Sequence, residues 1–235
     1  GGPDWPGLLK WSLQYQDGTA PAAEPRRALT DEDRAFFQAA LESAFVDEEA
    51  ETTKILCILA QGPGSPFLPL GLPPSELAQR QAELLEDLTD LVSQVDRALN
   101  LHKKGGLPVM VGLLGHPEAT LRGLAAQVLA TCCQNHPAVQ QAFLQEGLLP
   151  HLLRLLEDGD LGVRAKALLA LGSLMRNFPA ALRAFAREGG LLRHLQPAVP
   201  LDAPEAPAVS RLLPKALRLC AYVVSQDPDG EGARG

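Results

Sequence analysis

The chain has 235 residues, a formal net charge of −7, 46% apolar side chains and only 5% aromatic ones. That apolar share supports a buried core, and its Leu- and Ala-rich character suits helix packed on helix. The acidic balance disfavours nucleic acid, which demands a basic surface to displace counterions. No apolar run reaches the roughly 20 residues of a membrane-spanning helix.

Residues 1–29 carry an apolar island, Trp5 to Leu13, in a Pro-, Gly- and Ala-rich setting, and read as a flexible segment. An N-terminal helical region comes next, over 30–61. Thr30 opens its first helix, with Asp31, Glu32 and Asp33 in the turn where the helix dipole favours negative charge. A second helix is expected from about Glu49 to Gln61. Residues 62–74 hold five prolines, which exclude helix, and read as a linker. Its glycines are not followed by the Gly-Lys-Ser/Thr of a phosphate-binding loop. Ser75 is the expected cap of one long helix, Glu76 to about Leu101, with a one-sided stripe through Leu77, Leu84, Leu88, Leu91, Val95 and Ala98.

Beyond it a pattern is written twice and begun a third time. Gly105-Gly-Leu-Pro-Val-Met-Val-Gly-Leu-Leu returns 42 residues later as Gly147-Leu-Leu-Pro-His-Leu-Leu-Arg-Leu-Leu. The same offset relates Arg122 to Arg164, Asn135-His-Pro to Asn177-Phe-Pro, and Phe143 to Phe185. Each copy predicts a short helix (138–145, 180–187), a second helix (107–114, 148–156) and a long third helix (121–134, 163–176). The third copy opens at Gly189, is interrupted over 196–208, and resumes its long helix at Pro214. Residues 227–235 read as a disordered tail. A helical repeat of this period indicates an all-α armadillo or HEAT solenoid, and three helices per unit favour armadillo. The armadillo-repeat domain is assigned to 75–226, with about three repeats that must stack to bury their apolar faces.

No constellation for catalysis emerges. The five histidines show no paired metal spacing, and His116 and His136, each before a proline, suit turn or capping roles. No Gly-x-Ser-x-Gly elbow occurs, and the carboxylate clusters fall at helix ends or on solvent faces. No catalytic residue, cofactor site or metal site is assigned, and an enzyme is not expected. Cys57, Cys132, Cys133 and Cys220 sit in predicted helices and read as buried free thiols. The long third helices, which in armadillo folds line the concave face, carry Arg122, Arg164, Lys166, Arg176, Lys215 and Arg218. They form a basic stripe suited to an acidic partner. For Arg122 and Arg164, local pairing with Glu118 and Asp160 is the stronger reading. For Lys215 both readings stay open.

The chain resembles the armadillo-type nucleotide exchange factors of heat shock protein 70 chaperones, the Fes or Hsp-binding-protein family. The resemblance lies in Leu8-Leu-Lys-Trp-Ser-Leu13 with Asp17-Gly18, in Leu29 to Phe45, and in Val95-Asp-Arg-Ala-Leu-Asn-Leu-His-Lys-Lys-Gly-Gly-Leu107. It continues through Ala125-Ala126, Gln134-Asn135, Val163 to Leu168 and Met175-Arg-Asn177. Arg97 and Leu99 stand where that family typically has asparagine, and it usually has four repeats where about three are visible here.

The resemblance implies a co-chaperone that clasps the ATPase domain of such a chaperone and promotes ADP release, itself needing no nucleotide site or cofactor. It places partner contacts at Ala98, through its small size, and Lys215, through charge, with Asp96 and Arg176 as weaker candidates. It also offers Leu8, Leu9, Trp11 and Leu13 as a mimic of an unfolded client. Docking of that island on the first helices is the other open reading. A monomer in the cytosol is expected, with the endoplasmic reticulum lumen as the alternative, because no retention tetrapeptide ends the chain. An armadillo scaffold without exchange activity is the competing function. A nuclear-import type adaptor is disfavoured, since Trp5 and Trp11 lie outside the repeats.

Overall fold

The computed structural model describes residues 30–44, 48–199 and 207–226, and every regular element among them is helical. Two compact units divide the chain, Gly1–Glu51 and Thr52–Gly235. In the first, α1 (Asp31–Ala44) begins with a reciprocal cap. The Asp33 N–H donates to Thr30 Oγ1 at 3.1 Å, and the Thr30 N–H donates to Asp33 Oδ2 at 2.9 Å. The cap satisfies donors that the first turn leaves free.

Helix α2 (Glu48–Gln61) buries Ile55 and Ile58 in its second half. Residues 62–73 hold no α-helix; a 3-10 turn at Gly62–Gly64 leads into a buried Ser65. The second unit then continues as α3 (Pro74–Leu91), α4 (Val95–Lys103), α5 (Gly106–Leu113), α6 (Ala119–Cys133), α7 (Pro137–Gln145), α8 (Leu148–Leu155), α9 (Leu161–Met175) and α10 (Pro179–Arg187). A π-helical turn (Gly190–Leu195), a short turn (Gln196–Ala198) and α11 (Pro207–Gln226) complete it.

The long helix expected over 76–101 is two helices. Ser93 Oγ donates to the Asp90 carbonyl at 2.7 Å, and Gln94 is extended at ψ 134°. A serine that bonds the backbone this way competes with the helix ladder. The break creates the first helix of the first repeat. Moved by 42 residues, the bounds of α4 become those of α7 and then of α10; α5 becomes α8 and α6 becomes α9. Gly105, Gly147 and Gly189 share this register, with φ of 74°, 81° and 69°, and turn the chain out of each first helix into the second element of its repeat. Asn135 and Asn177 take φ 56° and 55° after α6 and α9, and each precedes an X-Pro step that starts the next helix. His136 Nδ1 accepts from the Val139 N–H at 3.4 Å and His116 Nδ1 from the Glu118 N–H at 3.0 Å, the capping roles expected of them.

The third long helix also departs from expectation. It begins at Pro207, seven residues early, and runs through Pro214. An interior proline costs a helix about 3 kcal/mol. Val209 and Leu212, at 2% and 0% exposure, each return about 1.5–3 kcal/mol on burial.

The core is a row of long helices. α3 packs on α6, α6 on α9 and α9 on α11. Ala125, Ala126 and Ala167, all fully buried, permit close approach, and Leu85, Leu88, Leu129 and Leu171 fill between them. Leu101, Phe143 and Phe185 occupy one repeated position, each at 0% exposure. Cys132 and Cys133 are buried and unpaired; burial pushes the Cys133 thiol up to about 12 and raises Cys132 as well. Cys57 and Cys220 are unpaired and half-buried.

Charged staples join successive repeats. Arg122 of α6 grips Asp158 in the α8–α9 loop with two parallel bonds, Nε to Oδ2 at 2.6 Å and Nη2 to Oδ1 at 2.8 Å. Its Nη1 donates to the His116 and Pro117 carbonyls, each at 2.8 Å. Arg164, one repeat on, donates to the Asp158 carbonyl and, at 3.1 Å, to the Ala198 carbonyl. Both arginines are thus committed within the chain, but not to the expected local partners Glu118 and Asp160: they reach Asp158 and backbone carbonyls, in part across to the next repeat. Asp160 instead caps α9 by accepting from the Val163 N–H at 3.0 Å.

The Arg122 guanidinium holds the Asp158 carboxyl below its ordinary range. A depressed folded value stabilises above the unfolded value and loses that contribution as pH falls through the folded one. D158N should therefore lower stability by about 2–3 kcal/mol at pH 7, the scale of hydrogen bonds to charged groups. The difference from the parent should shrink below about pH 4. Urea melts of parent and variant at pH 7 and at pH 3 check this; an equal gap at both would exclude the ion pair as its cause.

Candidate functional site: the groove across the long helices

A groove of about 590 Å³ runs across α6, α9 and α11. Its walls repeat. Gln127 of α6, Leu169 of α9 and Arg218 of α11 occupy one level, and Thr131, Ser173 and Tyr222 occupy the next. Offsets of 42 and then 49 residues link each trio, so the groove consists of equivalent positions in successive repeats. Leu124, Lys166 and Lys215 form the level before, and Gln134 and Arg176 belong to the level after.

Chemistry changes across this surface. The α6 side offers Gln127, Thr131 and Gln134, all uncharged, whereas α9 and α11 offer Arg176, Lys215 and Arg218. Among the described residues no carboxylate lines the groove. Lys166, at its edge, donates to Gln127 Oε1 at 2.7 Å. Burial and the nearby Lys215 pull its amine below the ordinary lysine range. The Arg176 guanidinium lies 5.5 Å from the centre of the Tyr222 ring, a cation–π contact. Leu169, 41% exposed, offers an apolar floor between the cations.

Two side chains hold the frame. Gln140 of α7, 1% exposed, donates to the carbonyls of Ser173 and Arg176 at 2.7 and 3.0 Å and so ties down the end of α9. The Tyr222 hydroxyl accepts from the Asn177 N–H at 2.8 Å and donates to the Met175 carbonyl at 3.3 Å. Together they fix the end of α9 between α7 and α11.

Of the partner-binding positions expected from sequence, Lys215 and Arg176 meet in this groove. Asp96 is exposed on α4, which does not line it. Ala98 is 2% exposed, so a partner would meet the surface around it and not its methyl group. Leu8, Leu9, Trp11 and Leu13 lie outside the described residues. Of the basic stripe, Arg122 and Arg164 are committed to the staples, leaving Lys166, Arg176, Lys215 and Arg218. Sequence reasoning misses Gln127, Leu169, Tyr222 and Gln140. The first three become visible when the third helices are aligned across the repeats, level by level. No group of three metal-ligating side chains occurs among the described residues, and no described helix is long and apolar enough to cross a membrane.

Stacked three-helix repeats with a polar groove across their long helices define an armadillo-type protein. The structural comparison agrees: the armadillo-repeats-only protein ARO from Plasmodium falciparum superposes with a TM-score of 0.58 at 16% identity, covering 86% of this chain and 83% of that one. An engineered protein of known crystal structure gives 0.57 at 19%, covering 81% and 67%. Residues 97–199 match the model of the SIL1/FES1/HPBP1 C-terminal domain. Mouse Hsp70-binding protein 1 is 34% identical over 146 residues, 60% of this chain and 40% of that protein. The human protein of that name is 34% identical over 147 residues, 60% and 39%. The fission yeast Hsp70 nucleotide exchange factor fes1 is 38% identical over 72 residues, 31% and 25%. The aligned region spans about two fifths of the mouse and human relatives.

Removing the Gln140 amide should loosen the groove without emptying the core. Q140A leaves two carbonyls at the end of α9 without their donor and should cost about 1–3 kcal/mol. Hydrogen exchange should then speed up at the α9 C-terminus more than in α3. Uniform change along the chain would refute a local tie.

Proposed function

We propose that this chain is a co-chaperone: it binds the ATPase domain of a heat shock protein 70 chaperone and promotes ADP release. The observation that carries this is the match of residues 97–199 to the SIL1/FES1/HPBP1 C-terminal domain model, a region whose long helices α6 and α9 form two of the groove's three walls. The names of the mouse and fission yeast relatives support the chaperone as partner and nucleotide exchange as the activity. The protein is a binding module and not an enzyme, works as a monomer in the cytosol, and uses neither nucleic acid nor a membrane.

Exchange needs no nucleotide site on this chain. It requires that the chain bind one conformation of the ATPase domain more tightly than the ADP-closed one. Linkage then makes the effect reciprocal, so ADP weakens the complex by the factor by which the complex weakens ADP. Lys215 and Arg176 supply charge on the gripping face. Asp96 and the surface around Ala98, on α4, supply a separate contact outside the groove.

Release of a fluorescent ADP from a purified cytosolic chaperone of this class, followed by stopped flow, tests the proposal. The rate should rise at least tenfold and saturate with this protein, and excess ADP should weaken the complex correspondingly. Binding without acceleration would leave a scaffold in place of an exchange factor; absence of both would exclude the chaperone as partner.

A further inference from the structure

The groove holds positive charge that the described residues do not neutralise. An ammonium carries three donors. Lys166 makes one hydrogen bond, to neutral Gln127, and Lys215 makes no hydrogen bond or ion pair among the described residues. Both occupy one level of α9 and α11, helices packed on each other, where axes lie about 8–10 Å apart. A carboxylate entering between them could meet both amines. The next level presents Leu169, and Arg176 stands ten residues beyond Lys166, about 15 Å along the helix.

We propose that Lys166 and Lys215 share one carboxylate of an extended acidic segment of a partner protein, which lays an apolar side chain on Leu169 and a second carboxylate toward Arg176. The inference rests on the groove being the partner-holding face of the proposed function, and it names the chemistry that face selects. The spacing suits an extended chain. Side chains two and four residues apart on one face of a strand are separated by about 6.6 and 13 Å. The levels of Leu169 and Arg176 lie about 4.5 and 15 Å beyond Lys166, so carboxylate, apolar and carboxylate side chains at alternate positions fall within about 2 Å of them, a gap that flexible lysine, arginine and glutamate side chains span. Among the described residues no carboxylate lines the groove, in a chain of net charge −7, so no described neighbour fills the seat.

The test uses the whole chain and fluorescein-labelled ten-residue peptides built from two Glu-Ser-Leu-Ser-Glu units, or from two Gln-Ser-Leu-Ser-Gln units as control. By anisotropy at low salt the glutamate peptide should bind at least tenfold tighter than the glutamine one. K166Q and K215Q should each weaken it about fivefold. The double variant should lose less than the product of the two, because both amines serve one carboxylate, and K166R should retain binding. Circular dichroism melts check that the variants fold; should K166Q lower the melting temperature, exposed Lys215 carries the test alone.

Equal binding of the two peptides, or unchanged binding by the lysine variants, overturns the inference. The ADP-release assay separates this from the function above. Acceleration that survives K166Q/K215Q, with no peptide preference, sinks the shared seat and leaves exchange standing. A peptide series that behaves as expected, without any acceleration by the parent chain, does the reverse.

Discussion

The contact on which the rest depends is the packing of each long helix on the next, α3 on α6, α6 on α9 and α9 on α11. These helices of 15 to 20 residues, and the shorter ones of 8 or 9 beside them, gain most of their stability from tertiary packing on neighbours. Here the neighbour is always a copy of the same element. Buried Ala125, Ala126 and Ala167 bring the helices close, while Leu129 and Leu171 fill the layer between them. The shorter helices cover one side of this row and leave the other to solvent. The groove is a by-product of that asymmetry: it is the uncovered side, and its level-by-level order is the 42-residue register seen from outside.

The same register sorts the charges. Arg122 and Arg164 lie one period apart near the starts of α6 and α9, and each bonds carbonyls of the loop before its own helix and reaches across to the next repeat, to Asp158 and to Ala198. Their guanidiniums present several donors in a fixed plane, which suits a carboxylate and two or three carbonyls at once. Lys166, two residues beyond Arg164, and Arg176, Lys215 and Arg218 make no such staple. They stay on the open face, which explains how an acidic protein comes to carry a basic strip.

Much of this was legible in sequence. Among the described residues the 42-residue offset located six helices, α5 to α10, within two residues, because Gly105, Gly147, Asn135 and Asn177 punctuate the chain at points where the backbone must take positive φ. Two errors share one cause. The stripe from Leu77 to Ala98 hid the break at Ser93, since the spacing of apolar residues continues across it and only a side chain bonding the Asp90 carbonyl betrays the kink. Pro214 hid the start of α11, since local propensity ends a helix there while the burial of Val209 and Leu212 is a tertiary gain. In both places a local signal competed with packing, and packing decided. The site was half-legible. Charge and helix assignment pointed to Lys215 and Arg176, but the diversion of Arg122 to Asp158 depends on a residue 36 positions away.

Acting on a partner's nucleotide as proposed, this chain would do so only through shape and charge. The Lys166–Lys215 level and the Arg176 level are set at a fixed separation on one rigid helix, α9, whose end is held by Gln140 and Tyr222. A partner whose acidic groups match that separation in one conformation and miss it in another is bound unequally in the two. That inequality is the whole of the free energy available to shift the partner's equilibrium. The ties that fix the end of α9 therefore bear on function as directly as the cations do. If they loosened, the groove would adapt to either conformation, binding both with similar strength and shifting neither.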